Sequence, residues 1–330
     1  MYTLVTGGSG FIGQNFLLYL KKNKKLRNVI NIDCLNYAGN FQNNLKIKDS
    51  KDFKFIKGSI NNKKILKDIF NKYKISSIIH FAAQTHVDKS IKSSDVFFVN
   101  NVLGTLRLLE KSKDIEWKKR NFKFILISTD EIFGSLSLKQ LASKEDSPYL
   151  PKNPYSASKA AANHLVQSFM ATFGFPAIII NCSNNYGPFQ HTEKFIPKII
   201  MNALNGKQIP IYGKGNQIRD WLFVEDTCKA IYKILKYGKV GSSYNVGGNS
   251  QIKNIDLAKK ILFLLGKLNL KHDRSFNDLI TFVDDRPGHD YRYNLNTEKI
   301  KKELNWAPTQ DLESGLYKTI NWYLKSMFGY

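Results

Sequence analysis

The stretch "VTGGSGFIG" (5–13) decides the fold. Apolar residues at 3–6 read as a buried strand that runs straight into it, and an amphipathic helix near 11–23 follows. The glycines fall at Gly7, Gly10 and Gly13. Gly7 permits the tight turn, Gly10 lets main chain approach a pyrophosphate, and Gly13 lets helix and strand pack closely. The helix N-terminus then receives the negative charge. The next apolar run ends in Asp33, about 20 residues on, where a carboxylate accepts hydrogen bonds from the adenosine ribose and repels a 2′-phosphate. The expected cofactor is therefore NAD rather than NADP.

Outward from this motif, strand-like runs at 29–32, 53–56, 77–81, 122–128 and 177–181 alternate with helical patterns near 62–73, 95–113 and 156–174. Such alternation means βαβ units and an α/β fold: a doubly wound parallel sheet, Rossmann-type, over residues 1–182. From 183 to 330 the pattern loosens into short strands, turns and helices near 193–204, 225–237, 254–266, 296–304 and 311–326. The expectation is a smaller α/β lobe that binds substrate, with some later segments returning to the first.

The chain has 330 residues and is 42% hydrophobic, as expected of a globular enzyme rather than a disordered chain. No apolar run reaches the ~18 residues of a membrane span, and no secretory leader is apparent. Cys34, Cys182 and Cys228 stand apart, which suggests neither disulfides nor a metal site. A cytoplasmic location is expected. The net charge of +23 raises the question of nucleic acid. Its lysines are spread along the chain, as in "YLKKNKKLRN" (19–28) and "NNKKILKDIF" (61–70), at positions that solvated helix faces occupy. A lysine-rich surface is expected, with no nucleic-acid or membrane partner.

Two stretches carry chemistry. "PYSASKAAANHL" (154–165) puts Tyr155 and Lys159 one turn apart on a single helix face. An ammonium beside a phenol lowers its pKa, which suits a base that takes a sugar hydroxyl proton while hydride leaves for NAD. Thr129 can bond the same oxygen. "ISTDEIFGS" (127–135) places Asp130 and Glu131 where a buried strand emerges. They are either charges that end a strand or an acid and a base. Adjacent buried carboxyls share one proton, leaving one neutral and one ionised. Neighbours on a strand point to opposite faces, so both reach one sugar only if the backbone turns there.

With these motifs in view, the chain resembles the extended short-chain dehydrogenase/reductase family, and within it the nucleotide-sugar dehydratases. The resemblance runs through "TGGSGFIG" (6–13), "NYAGN" (36–40), "FAAQTHVDKS" (81–90), "STDEIFG" (128–134) and "PYSASK" (154–159). It continues in "NCSNNYGPFQHTEKFIPKII" (181–200), "PIYGKGNQIRDWLFVED" (210–226), "YNVGG" (244–248) and "DRPGHDYRY" (285–293). It implies C4 oxidation by NAD with Tyr155, Lys159 and Thr129, then loss of water from C5 and C6 with Glu131 as base and Asp130 as acid, then hydride return to C6. The substrate implied is a nucleoside-diphosphate glucose, dTDP-glucose first and UDP-glucose as competitor.

The same resemblance places Phe11, Ile12, Asn36, Ser59, Ile60, Phe81, Ala82, Ala83, Asn100 and Asn185 at the cofactor, beside the three glycines, Asp33, Tyr155 and Lys159. It places Thr85, Thr129, Asn184, Lys194, Phe195, Pro210, Ile211, Tyr212, Arg219, Asn254, Asp285, Arg286 and His289 at the substrate. It also implies a homodimer through helices near 95–113 and 156–174. Three positions depart from the family pattern: Ser59 where a carboxylate meets the adenine amino group, Gln84 where Glu is common, and Phe133 where Tyr is commoner. A 4-epimerase or a UDP-glucuronate decarboxylase on the same scaffold also oxidises C4. The first lacks the carboxylate pair and the second carries Ser at the place of Asp130.

Overall fold

The computed structural model describes residues 1–40, 47–48, 50–268 and 276–328. Its centre is a seven-stranded sheet. The strands are β1 (Tyr2–Thr6), β2 (Val29–Asp33), β3 (Phe53–Lys57), β4 (Ile75–His80), β5 (Lys123–Thr129), β6 (Ala177–Cys182) and a strand from the second half of the chain, Ser243–Val246. The order is β3-β2-β1-β4-β5-β6 with Ser243–Val246 last, and every pairing is parallel. Both faces are covered, so a strand such as β6 is buried at all six positions and reads as one apolar run.

Helices Phe11–Lys22 and Val224–Tyr237 cover one face, and Phe16, Leu17 and Leu20 of the first share a core with Cys228, Ile231 and Ile234 of the second. Helices Lys63–Lys72, Gly104–Lys113 and Pro154–Phe173 cover the other, through Leu66, Ile69, Leu108, Leu109, Val166 and Phe169. Each fully buried side chain of this size stabilises the fold by ~1.5–3 kcal/mol. Strand order reverses between β1 and β4, and there the two adjacent crossovers leave a crevice at the carboxyl ends of the strands.

The expected helix over 95–113 is composite. Asp95–Phe97 and Gly104–Lys113 flank a π-helical stretch, Phe98–Leu103. The wider turn buries Asn101, whose amide donates to Gln84 O (3.0 Å) and Ser158 Oγ (2.9 Å) and whose Oδ1 accepts from Gln84 N (2.8 Å). This pins the end of the β4 loop to the helix that carries Tyr155.

The smaller lobe sits over the crevice. It holds β7 (Asn184–Tyr186), β8 (Ile209–Tyr212) and β9 (Ile218–Phe223). Numbering Ser243–Val246 as β10, the remaining strands are β11 (Gln251–Lys253) and β12 (Ile280–Val283). The sheets are β11-β9-β7 and β12-β8. Tyr186, Ile200, Leu257, Ile261, Leu316 and Ile320 form their core with helices Phe195–Leu204, Asn254–Gly266 and Leu312–Tyr323.

Candidate active site

The crevice opens into one cavity. At its first end the walls are main chain. Gly7 has φ +71°, and a Cβ there would lie 2.6 Å from the Ala82 backbone. A Cβ on Gly13 would lie 2.5 Å from Gly7 O. The helix Phe11–Lys22 starts at Gly10 with no side-chain cap and no acidic residue in its first turn, and Phe11, Ile12 and Gly13 line the cavity. Its first-turn N–H groups therefore lack helix partners and face anions favourably.

Asp33 closes β2 beside them. Its oxygens accept from Ser9 N and Leu35 N, each at 2.9 Å; burial raises its pKa, and these two bonds pull it down. Asn36, Ser59, Ile60, Phe81, Ala82, Ala83 and Asn100 line the same end, and Asn185 lines the cavity from β7. An uncapped helix start, a glycine turn without room for side chains and a carboxylate at the next strand end together fit a dinucleotide.

At the middle of the cavity β5 ends in Thr129. Its Oγ1 accepts from Glu131 N (3.3 Å) and caps a 3-10 turn, Asp130–Phe133. That turn replaces the strand's alternation, so Asp130 and Glu131 both line the cavity with Thr129. The turn ends at Gly134, φ +74°, where a side chain would run into the Leu150 carbonyl oxygen. Opposite stands the helix Pro154–Phe173, started by Pro154 and by a reciprocal cap between Asn153 and Ser156. Its first turn brings Tyr155 and Lys159 to the cavity.

The charges differ from the sequence expectation at one point. Lys159 Nζ donates to Ile127 O at 2.7 Å, and burial lowers its pKa to about 8. The Tyr155 phenol is pushed well above its ordinary value by burial first and by Glu131 next, while a hydrogen bond with Thr129 pulls it down. The β5 carbonyl thus accepts from one of the three ammonium N–H donors, and burial sets the direction of the phenol's shift.

The two carboxyls have opposed surroundings. Burial raises Asp130 well above the carboxylate range, and the Glu131 and Asp220 carboxylates raise it further. One Asp130 oxygen lies 3.3 Å from Thr129 Oγ1; the other is buried and has no partner among the described residues. Burial also raises Glu131, but Arg286, Arg219 and Lys194 all pull it back. Two carboxylates act on Asp130 against Arg219 alone, and three cations act on Glu131 against Asp290. Asp220 carries no signal in spacing. It is buried in β9 and accepts from Gly248 N (2.7 Å) and Ser250 N (2.6 Å).

Thr85, Asn184 and Lys194 line the far end, with Lys194 Nζ donating to Thr85 O at 2.8 Å. The other residues expected at the substrate lie beyond the cavity wall in the smaller lobe. Arg219 donates to Asp290 O (2.9 Å) and lies over the Tyr293 ring at 4.3 Å. Arg286 pairs with Asp88 at 3.5 Å, and Tyr212 OH donates to the other Asp88 oxygen at 3.1 Å. His289 bonds Asp285 at 2.6 Å, and burial lowers its pKa to about 4. Phe195 stacks on Trp221, and Asn254 N donates to Gln217 O at 2.9 Å. Pro210 sits in β8 opposite Thr281. The Ile211 side chain is 1% exposed and belongs to the lobe's core, so that position can offer a ligand only its main chain.

The sequence model of the GDP-mannose 4,6 dehydratase family matches residues 4–319. The chain belongs to this family. A dTDP-glucose 4,6-dehydratase of Haemophilus influenzae is 48% identical, the match covering 98% of each chain. A dTDP-glucose 4,6-dehydratase from Bacillus anthracis, solved in complex with NAD, superposes with a TM-score of 0.87 at 40% identity, over 99% of this chain and 97% of that one. DesIV, a dTDP-glucose 4,6-dehydratase of Streptomyces venezuelae also solved with NAD, gives 0.91 at 35% identity, over 100% and 99%. Family membership and the seven-stranded parallel sheet agree with the Rossmann-type dehydratase fold expected from the sequence.

Proposed function

We propose that the chain is an NAD-dependent hydro-lyase that converts dTDP-glucose to the 4-keto-6-deoxy sugar nucleotide. One observation carries the water-loss step: the capped 3-10 turn after Thr129 brings Asp130 and Glu131 to one cavity with Tyr155. Relatives named for dTDP-glucose support that nucleotide over UDP.

Bound NAD supplies hydride acceptance at C4 and its return at C6. Tyr155 takes the C4 hydroxyl proton, with Thr129 lining the same cavity. The Lys159 ammonium, charged below about pH 8, is the chain's own source of positive charge one turn along the helix. The ketone at C4 acidifies the C5 proton, which the Glu131 carboxylate removes. Asp130, held neutral, protonates the C6 hydroxyl, and the C6–O bond breaks with loss of water. Glu131, protonated by that step, would return its proton to C5 as C6 is reduced, and NAD would end the cycle as it began. Thr85 is assigned to the sugar. Asn184, Lys194, Arg219, Arg286, Asn254 and His289 are assigned to the diphosphate and base, and arginine suits a diphosphate bidentately.

A homodimer is part of this reading. Val96, Phe98 and Val99 on the composite helix over 95–113 and Phe173 at the end of the Tyr155 helix are exposed large apolar side chains. So is a cytoplasmic location; among the described residues no helix is long and apolar enough to cross a membrane.

The test is turnover of dTDP-glucose and UDP-glucose, each deuterated at C4. The expected product is a 4-keto-6-deoxy sugar with the deuterium at C6, formed faster from dTDP-glucose. A 4-epimer, or no turnover with either, would overturn the proposal.

A further inference from the structure

One cluster of titratable groups lies outside the reaction just described. It borders the cavity, whose lining includes sequence neighbours of two of its members. Tyr37 follows β2, in a loop whose Asn36, Ala38 and Gly39 line the dinucleotide end. Lys89 sits on the short helix Val87–Lys92. Glu193 follows Gln190 and His191, which line the cavity from the smaller lobe.

These three segments meet on one carboxylate. Lys89 Nζ lies 3.0 Å from Glu193 Oε2 and 3.4 Å from the centre of the Tyr37 ring. Burial first and the Glu193 carboxylate next raise the Tyr37 phenol's pKa, and the other Glu193 oxygen, Oε1, is buried with no hydrogen-bond partner among the described residues. His86 Nε2 and His191 Nδ1 approach it at 3.6 and 3.8 Å, and the His191 ring packs edge-on against Tyr37 at 5.5 Å. The side chain of Glu193 is 15% exposed, while Tyr37 is 42% exposed. Lys194, its neighbour in sequence, reaches back to Thr85 O. Two segments that wall the cavity from opposite lobes are thus joined through side chains, with Lys89 between them.

We propose that Glu193 is the positioning residue of a latch that ties the loop after β2 to the smaller lobe and retains the dinucleotide between hydride removal and hydride return. The inference rests on the dehydratase reading, whose chemistry supplies the need. The hydride taken from C4 must be the one delivered to C6. If the reduced dinucleotide leaves in between, the keto sugar is stranded and the cycle cannot close. An enzyme that releases its reduced cofactor each turn has no such requirement.

The test follows NADH release directly, by the fluorescence of NADH bound to the full-length protein and chased with NAD. Glu193→Gln is expected to release NADH ~10-fold faster or more, the loss of a charged hydrogen-bond centre. Tyr37→Leu, at an exposed position that leaves the fold intact, is expected to accelerate release ~2- to 5-fold by losing the ring that Lys89 and His191 contact. Both should also release 4-keto-glucose nucleotide prematurely in turnover, with added NAD restoring activity. If Glu193→Gln does not fold, Tyr37→Leu alone decides. Unchanged NADH release in the folded variants would overturn the latch, even if turnover falls, because Glu193 would then act on the substrate. If the unmodified protein binds no NADH, the dehydratase reading fails, whatever the variants do.

Discussion

The two ends of the cavity are made of different material. The dinucleotide end is main chain: the Gly7 turn, the uncapped helix start at Gly10 and the ends of β1, β2 and β4. Most of it comes from the first third of the chain. The sugar end is charged side chain. Asp130, Glu131, Lys194, Arg219, Asp220 and Arg286 come from four separate segments and both lobes, and each shifts another's charge. A main-chain site is fixed by the fold and indifferent to most substitutions. A side-chain site has its chemistry in the balance of neighbouring charges, so a single neutralisation should change the reaction without changing the fold.

The largest expected break is at the carboxyl pair. Asp130→Asn with Glu131→Gln should slow water loss by ~10²–10⁴-fold while C4 oxidation survives far better. Single-turnover absorbance of reduced nicotinamide, read beside product analysis, separates the two steps. Equal loss of both would mean that the pair serves binding rather than elimination. Gly134→Ala tests the same end through the backbone. It places a methyl against the Leu150 carbonyl at φ +74°, so a stability loss of ~1–3 kcal/mol is expected, with a larger fall in water loss than in NAD affinity. Thermal unfolding and NAD titration on the same sample measure both.

The pH profile sharpens the comparison. Glu131 must be ionised to accept a proton, and its pKa is raised by burial, so water loss should fall on acidification at a pH above the ordinary glutamate range. Asp130 must be protonated, and it is raised well above its ordinary value, so the rate should fall again on the alkaline side. Arg286 is the leading group that lowers Glu131. Arg286→Gln should therefore move the acid limb to higher pH. NAD affinity should be unaffected, because Arg286 is not among the residues at the dinucleotide end. An acid limb that stays in place would remove Arg286 from the Glu131 environment.

What the sequence made legible follows the same division. The glycine spacing and the position of Asp33 are constraints on the backbone, and short-range patterns report backbone well. The Tyr155 and Lys159 pair was readable because helix period alone puts them on one face. The partner of Lys159 was not, since the Ile127 carbonyl belongs to a strand distant in sequence. The turn at 130–133 was only half legible: Gly134 permitted it, but the Thr129 cap and the Leu150 contact appear only with tertiary structure. Asp220 and Glu193 lay within recognisable blocks, yet a lone acid says nothing of its neighbours. The π-helical stretch that turns Asn101 inward interrupts an amphipathic pattern that reads as ordinary helix.

The smallest expected effect lies at the dinucleotide end, at Ser59. Its Oγ accepts from Asn61 N at 3.1 Å, which starts the turn after β3, and the side chain lines the cavity. An aspartate there keeps that bond with one oxygen and presents the other to an adenine amino group. One added hydrogen bond is worth ~0.5–1.5 kcal/mol, so Ser59→Asp should tighten NAD by ~2- to 10-fold. The rate of water loss should not move, because Asp130 and Glu131 lie in the other half of the cavity. Equilibrium dialysis of NAD beside steady-state turnover decides it. Weaker binding would mean that repulsion from the nearby Asp33 carboxylate exceeds the new bond. The serine would then relieve a crowding of negative charge, and main chain would not be the sole determinant even at this end.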